Sequence, residues 1–297
     1  GAGRLSAEHV PAEPGALLEE IRRMARSLGQ VQLMEICGTH TMAIARAGLK
    51  SLLPENIRLI SGPGCPVCVT PAGAVDELLR ISSIPGVIMA SYGDLLRVPG
   101  SRRGDSLLRR RAQGADVRMV YSPIDALEMA GNHPDRQVVF AGVGFETTAP
   151  GTAACLMEAR ERRMSNFSVL SLLKTTEPAV RALVDAPQMR ECRIDGFLCP
   201  GHVAVITGAD SFAFLPEEYG LPAVVSGFEP EDLVVSVYLL VKMLAEGRPA
   251  LVNEYARLVR GSGNPAARKA VDAVFAPGGS LWRGLGEISE SGLAIRE

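Results

Sequence analysis

The segment GPGCPVCVTP, residues 62 to 71, sets Cys65 and Cys68 in a C-x-x-C spacing. Two thiols this close can close a disulfide or chelate one metal ion. Gly62, Pro63, Gly64 and Pro66 commit the backbone to a special shape around them. Thr70 is expected to cap a helix whose first residue is Pro71. The positive end of that helix would then favour thiolate over thiol at the pair.

A second cluster, MEICGTHTM at 34 to 42, spaces Cys37 and His40 as C-x-x-H beside Glu35, Thr39 and Thr41. Gly38 is expected to permit a tight backbone approach there. Cys37, His40, Cys65 and Cys68 together have the donor set of a tetrahedral zinc site. GVGFETTAP, Gly142 to Pro150, offers Glu146 for polar contacts, with Thr147 or Thr148 as a helix cap. CPGH at Cys199 to His202 offers an imidazole that exchanges protons near neutral pH. SYGD at 91 to 94 adds Asp94. Cys155 and Cys192 have no partner motif and are read as structural. No G-x-x-x-x-G-K-[ST] loop, helix-opening G-x-G-x-x-G or G-x-S-x-G elbow occurs, so nothing supports nucleotide binding or a serine hydrolase.

The elements that must position these groups follow an α/β rhythm. Apolar runs at 57–60, 87–90, 117–121, 138–141, 168–173, 196–198 and 223–226 predict strands. Segments 74–81, 104–113, 123–130, 151–163 and 178–185 predict the helices that cover them. In parallel sheets ligands gather at the carboxyl ends of the strands, which is where most of these clusters fall. The expected fold class is therefore α/β: two small parallel-sheet, Rossmann-like domains at 56–122, carrying the C-x-x-C, and at 123–229. The first 55 residues look helical. They are expected to pack with 230–297, where Pro230, Glu231 and Asp232 open a helix that Gly247 and Pro249 close, and a second helix covers 265–275. The tail from Gly278 shows no obvious terminating element.

A chain of 297 residues, 47% hydrophobic and 22% charged, is globular in composition, and its formal net charge of −2 gives no field for nucleic acid. Arg102, Arg103 and Arg109 to Arg111 lack interleaved aromatics and are read as a solvated face. The longest apolar run, Leu233 to Leu244, contains Lys242 and is too short to span a bilayer. The start, GAGRLSAEHVPAEPG, lacks the pattern of a signal peptide. Six cysteines at irregular spacing predict reduced thiols in a cytoplasmic setting.

Taken in order, MEICGTHT, SGPGCPVCVTP, SYGD, GFETTAP, PGHV, NEYARLV and WRGLG resemble the signature of the HypD family of hydrogenase maturation factors, from about Met34 to Arg296. The resemblance implies a scaffold with redox-active thiols rather than a turnover enzyme. It would carry iron as Fe(CN)2(CO), destined for [NiFe] hydrogenase, together with a small HypC-type partner. Carried over by motif, Cys37 is the iron-ligating thiolate, with Gly38, Thr39 and Thr41 around it. Cys65 and Cys68 are the redox pair, with His40, Glu146 and His202 as further candidates for the chemistry. A HypE-type partner carrying a thiocyanate would donate cyanide. HypD-family proteins usually bind a [4Fe-4S] cluster through C-terminal cysteines, whereas this sequence has no cysteine after Cys199.

Two rival readings stay open from the residues alone. One is a thiol–disulfide oxidoreductase, since Pro66 between the cysteines resembles thioredoxin-type motifs. The other is a structural zinc protein using Cys37, His40, Cys65 and Cys68. No nucleic-acid or membrane partner is expected, and the chain alone is expected to be monomeric.

Overall fold

The computed structural model describes residues 13–186 and 193–296; Cys192, read as structural, lies outside them. In chain order the described elements are α1 (Pro14–Ala25), β1 (Val31–Glu35), α2 (Gly38–Arg46), α3 (Leu49–Leu52), β2 (Ile57–Ser61), α4 (Ala72–Ser82), β3 (Val87–Ser91), α5 (Leu107–Ala112), β4 (Val117–Met119), α6 (Pro123–Asn132), β5 (Gln137–Gly144), α7 (Ala149–Glu161), β6 (Phe167–Leu173) and α8 (Thr176–Asp185). They continue with β7 (Gly196–Pro200), α9 (Gly201–Thr207), α10 (Phe214–Tyr219), β8 (Ala223–Ser226), α11 (Pro230–Glu246), β9 (Leu251–Asn253), α12 (Pro265–Val274), β10 (Phe275–Trp282) and β11 (Gly286–Ile295). The chain forms two compact units, Gly1–Cys65 with Leu183–Pro265 and Pro66–Ala182 with Ala266–Glu297.

The first unit is built on a parallel sheet in the order β2-β1-β7-β8-β9. From β1 the chain steps outward to β2, whereas from β7 it steps the other way, so the order reverses between β1 and β7. Such a switch point opens a crevice at the carboxyl ends of its two strands. Leu17, Ile21 and Ala25 of α1, spaced at helical period, meet Val234, Val237, Tyr238 and Val241 of α11 in one core with Leu33 and Val224. Pro230 starts α11, Asp232 accepts from the Glu229 N–H at 3.2 Å, and Gly247 closes the helix at φ 62°.

The second unit carries a parallel sheet in the order β4-β3-β5-β6, with its own reversal between β3 and β5. Alternate residues of the central strands feed opposite cores. Ile88, Ala90, Val138 and Phe140 pack with α6 and α7, while Met89, Ala141 and Val143 pack with Val75, Leu78 and Leu79 of α4.

The parallel α/β architecture with two sheets is as expected from the sequence, and β8 coincides with the predicted run at 223–226. Three findings differ. The amino-terminal segment is not wholly helical, because VQLME forms β1 inside the first sheet. Its polar residues are absorbed there: the Gln32 N–H donates to Asp195 Oδ2 at 2.8 Å, and Glu35 is enclosed by its neighbours. The tail from Gly278 is a β-hairpin, β10 with β11, turning through Gly284 and Gly286 at φ 85° and 83°, a region that favours glycine. Finally, α1 and α11 do pack together, but as part of the first sheet's own unit. The hairpin belongs to the second unit, where β11 lies beside the end of β6 through Ser171 Oγ donating to the Leu293 carbonyl and Thr175 N–H to that of Ser291.

Candidate functional site

At the switch point of the first unit, β1 ends at Glu35 and α2 begins at Gly38, leaving Cys37 as the N-cap in extended backbone, half-buried. Burial pushes the Cys37 thiol above its ordinary range, opposed by the nearby backbone N–H groups of His40 and Thr39 and the Thr39 hydroxyl. Glu35 lies beneath, 2% exposed. Its Oε2 accepts from the Cys37 N–H at 3.0 Å and its Oε1 from the Thr41 hydroxyl at 2.5 Å. Burial holds the Glu35 carboxyl above the usual carboxylate range.

Residues 62–65 run against this segment. The Gly38 N–H donates to the Gly64 carbonyl at 2.9 Å. A Cβ added at Gly64 would stand 2.2 Å from the Cys37 nitrogen, whereas one at Gly38 would meet nothing closer than 3.6 Å. The tight approach expected at Gly38 is therefore made by Gly64. Cys65 and Cys68 are disulfide-bonded, half-buried and exposed respectively. The expected capping is also shifted. Pro71, not Thr70, is the N-cap of α4, and the Thr70 hydroxyl turns back to donate to the Pro66 carbonyl at 2.8 Å.

His40 is fully buried on α2. Its Nε2 must carry the proton, because it donates to the Gly227 carbonyl at 2.9 Å; Nδ1 is buried with no hydrogen bond of acceptable geometry. Burial lowers its pKa to about 4, against the pull of the Gly227 and Ser226 carbonyls. Both His40 and His202 stack on Phe228, with ring centroids 4.5 and 3.8 Å away. His202, at the start of α9, is exposed, and what burial it has lowers its pKa. The Gly227–Phe228 turn is held from β9: the Gly227 N–H donates to Glu254 at 3.0 Å, and Arg257 donates to Asp232 at 2.6 Å while lying 4.4 Å over the Tyr255 ring.

In the second unit Glu146 follows β5. Its oxygens accept from the Thr176 N–H at 2.6 Å and the Thr176 hydroxyl at 2.8 Å, so this carboxylate, rather than a threonine, caps a helix, and the helix is α8. Thr148 is the N-cap of α7 but makes no side-chain cap bond. Asp94 caps a short 3₁₀ turn by accepting from Leu95 N–H at 2.9 Å. A cavity of about 430 Å³ opens at the opposite ends of these strands, between Val87 and Asp116, and no residue singled out for chemistry lines it.

The structure thus gathers Cys37, Thr39, Thr41, His40 and His202 in one unit, with the Cys65 side of the disulfide loop beside Cys37. It leaves Glu146 and Asp94 in the other. The four residues of the zinc reading are not assembled: two are joined in a disulfide, and His40 Nε2 is taken by a carbonyl. Among the described residues no group of three or more His, Cys, Asp or Glu side chains is arranged to hold a metal ion. Cys155 and Cys199 are buried free thiols pushed upward by burial, Cys155 to about 11. Phe228 escaped the sequence reading, while Glu254 and Arg283 stand inside the NEYARLV and WRGLG motifs without having been given a role. The available signal was position, since Glu254 directly follows β9 and Phe228 lies two residues beyond β8.

The family model named HypD, described as the hydrogenase formation hypA family, matches residues 14–297. The chain is 48% identical over 292 residues to the hydrogenase maturation factor HypD of Rhodobacter capsulatus, covering 96% of this chain and 76% of that protein. It is 47% identical over 271 residues to that of Azotobacter vinelandii, covering 90% and 71%, and 44% identical over 292 residues to that of Escherichia coli strain K12, covering 96% and 77%. With both the family model and these relatives spanning nearly the whole sequence, the chain belongs to the HypD family of hydrogenase maturation factors.

Proposed function

We propose that this chain is a cytoplasmic scaffold on which the Cys37 thiolate holds the iron of an Fe(CN)2(CO) cargo during its assembly for [NiFe] hydrogenase, in complex with a small HypC-type partner. The observation that carries the reading is the setting of one thiol: Cys37 stands half-buried at the switch-point crevice as the N-cap of α2, its N–H donated to the buried Glu35 at 3.0 Å. Burial keeps it protonated when free, and a cationic iron would displace that proton on binding. Soft thiolate suits low-spin iron, and the partner and the diatomic ligands complete the coordination.

Cys65 and Cys68 serve as a two-electron couple in this reading. As a dithiol the pair would meet a thiocyanate carried by a HypE-type partner. The sulfur–cyanide bond breaks, cyanide leaves, the donor sulfur takes one proton, the second proton is released, and the pair closes to a disulfide. The disulfide returns to dithiol by exchange with an external thiol reductant. In this reading His202, exposed on Phe228, is the group that would move protons, and His40, buried and neutral, holds the Gly227 turn. Glu146 is assigned to capping α8. No step is drawn through a [4Fe-4S] cluster: among the described residues the free thiols Cys155 and Cys199 are each buried, and no group of three or more His, Cys, Asp or Glu side chains is arranged to hold a metal ion.

The test is iron content after anaerobic co-purification with the partner. The unmutated chain should retain stoichiometric iron, Cys37→Ala should lose it, and Cys155→Ala should keep it; full retention in Cys37→Ala would refute the role of that thiol. One observation favours a second reading, a thiol–disulfide oxidoreductase: Cys68 is exposed within the disulfide. Insulin reduction without iron or partner, at a rate matching a thioredoxin, would replace the scaffold reading with it.

A further inference from the structure

We infer that Thr70 and Arg283 are positioning residues of the Cys65–Cys68 pair, a chain of hydrogen bonds from the carboxy-terminal hairpin holding the C-x-x-C turn in the shape in which its sulfurs meet. The inference rests on the redox reading of that pair. Arg283, at the hairpin turn, donates its backbone N–H to the Val69 carbonyl at 2.8 Å and its Nε to the Thr70 carbonyl at 2.8 Å. Thr70 is fully buried and passes the constraint on: its hydroxyl donates to the Pro66 carbonyl at 2.8 Å, and its N–H bonds to the Val67 carbonyl at 3.3 Å. Pro66 and Val67 are the two residues between the cysteines.

The hairpin can exert this hold because it is itself anchored. Trp282, 1% exposed, packs with Val69, Phe145 and Ile288, donates Nε1 to Ser291 Oγ at 2.8 Å, and has Lys174 Nζ 5.1 Å from its ring centroid. The VTP end of the C-x-x-C motif and the WRGLG motif, 213 residues apart where Arg283 meets Thr70, are thereby one device. A dithiol closes to a disulfide in proportion to how often its sulfurs meet, so a turn held in the closed shape stabilises the disulfide over the dithiol. One net hydrogen bond is worth about 1 kcal/mol, or about a fivefold change in that equilibrium.

The experiment equilibrates the whole protein anaerobically in graded glutathione buffers and reads the fraction of Cys65 and Cys68 reduced by alkylation and peptide mass. In the exchange the Cys65–Cys68 sulfur–sulfur bond breaks while two glutathione thiols give up two electrons and two protons and become glutathione disulfide. Thr70→Val should make the disulfide five- to tenfold easier to reduce, tenfold being about 30 mV for two electrons. Thr70→Ser, which keeps the hydroxyl, should restore the unmutated value. Arg283→Ala, at an exposed side chain, should move the equilibrium the same way by about threefold while keeping the backbone bond to Val69. Thermal unfolding of each variant verifies the fold, and Arg283→Ala decides the matter if Thr70→Val does not fold. Reversible exchange with unchanged midpoints in folded variants would overturn the positioning role while leaving the redox reading intact. An unmutated pair that does not equilibrate across the buffers would overturn the redox reading, and the inference with it.

Discussion

Gly64 lies directly on the backbone of Cys37: a Cβ at position 64 would come within 2.2 Å of the Cys37 nitrogen and 2.3 Å of the Ile36 carbonyl carbon. These are main-chain atoms of a strand end, which cannot step aside as a flexible side chain could. Gly64→Ala is therefore expected to displace the C-x-x-C loop from Cys37, to destabilise the protein by about 1–3 kcal/mol through overpacking, and to lower iron retention. Gly38→Ala, facing only ordinary contacts, should be much milder in both respects. Calorimetry and iron analysis of the two variants check the contrast, and equal behaviour would refute it.

Glu146 is expected to act through structure. Glu146→Ala removes the acceptor of two Thr176 donors and should cost about 1–2 kcal/mol, as the loss of a helix cap does. Glu146→Gln keeps one acceptor oxygen and should recover part of that stability with hydrogenase maturation preserved. If Glu146→Gln folded at native stability yet abolished maturation, the residue would instead belong to the chemistry.

Lys174 gives the protein a signature in alkaline solution. It is 2% exposed, donates to Ser280 Oγ and the Leu281 carbonyl, and burial brings its pKa down to about 8 from the ordinary 10.5. Below pH 8 both folded and unfolded chains hold this proton, and the cost of burying the charge is fully present. Between pH 8 and 10.5 the folded chain has released the proton while the unfolded chain keeps it, so this residue's contribution to stability rises with pH. The melting temperature of the unmutated protein relative to Lys174→Met should increase from pH 7.5 to 10; parallel curves would contradict the assignment.

Much of the fold was legible because both sheets are parallel and buried on two faces, so runs such as Val87 to Ala90 and Ala223 to Ser226 stand out between Gly and Pro turns. β1 was not legible, since Gln32 and Glu35 interrupt its apolar run. The partners that satisfy them are distant or tertiary: Asp195 lies 163 residues on, and Thr41 becomes a neighbour of Glu35 only when α2 turns back. The hairpin was hidden by its glycines, and its alternation becomes meaningful only against β6 and Trp282. At the site, thiols and imidazoles were recognisable by type and spacing. Which glycine makes the close approach, and that a lone Phe228 carries two imidazoles, depend on how strand ends meet in space.

The measurement that bears most directly on the scaffold is infrared absorption of the anaerobically co-purified complex with its HypC-type partner, beside a Cys37→Ala control. The account predicts cyanide and carbon monoxide stretching bands in the unmutated complex and none in the control. Bands of equal intensity in Cys37→Ala, or none in an unmutated complex whose partner is bound, would contradict it.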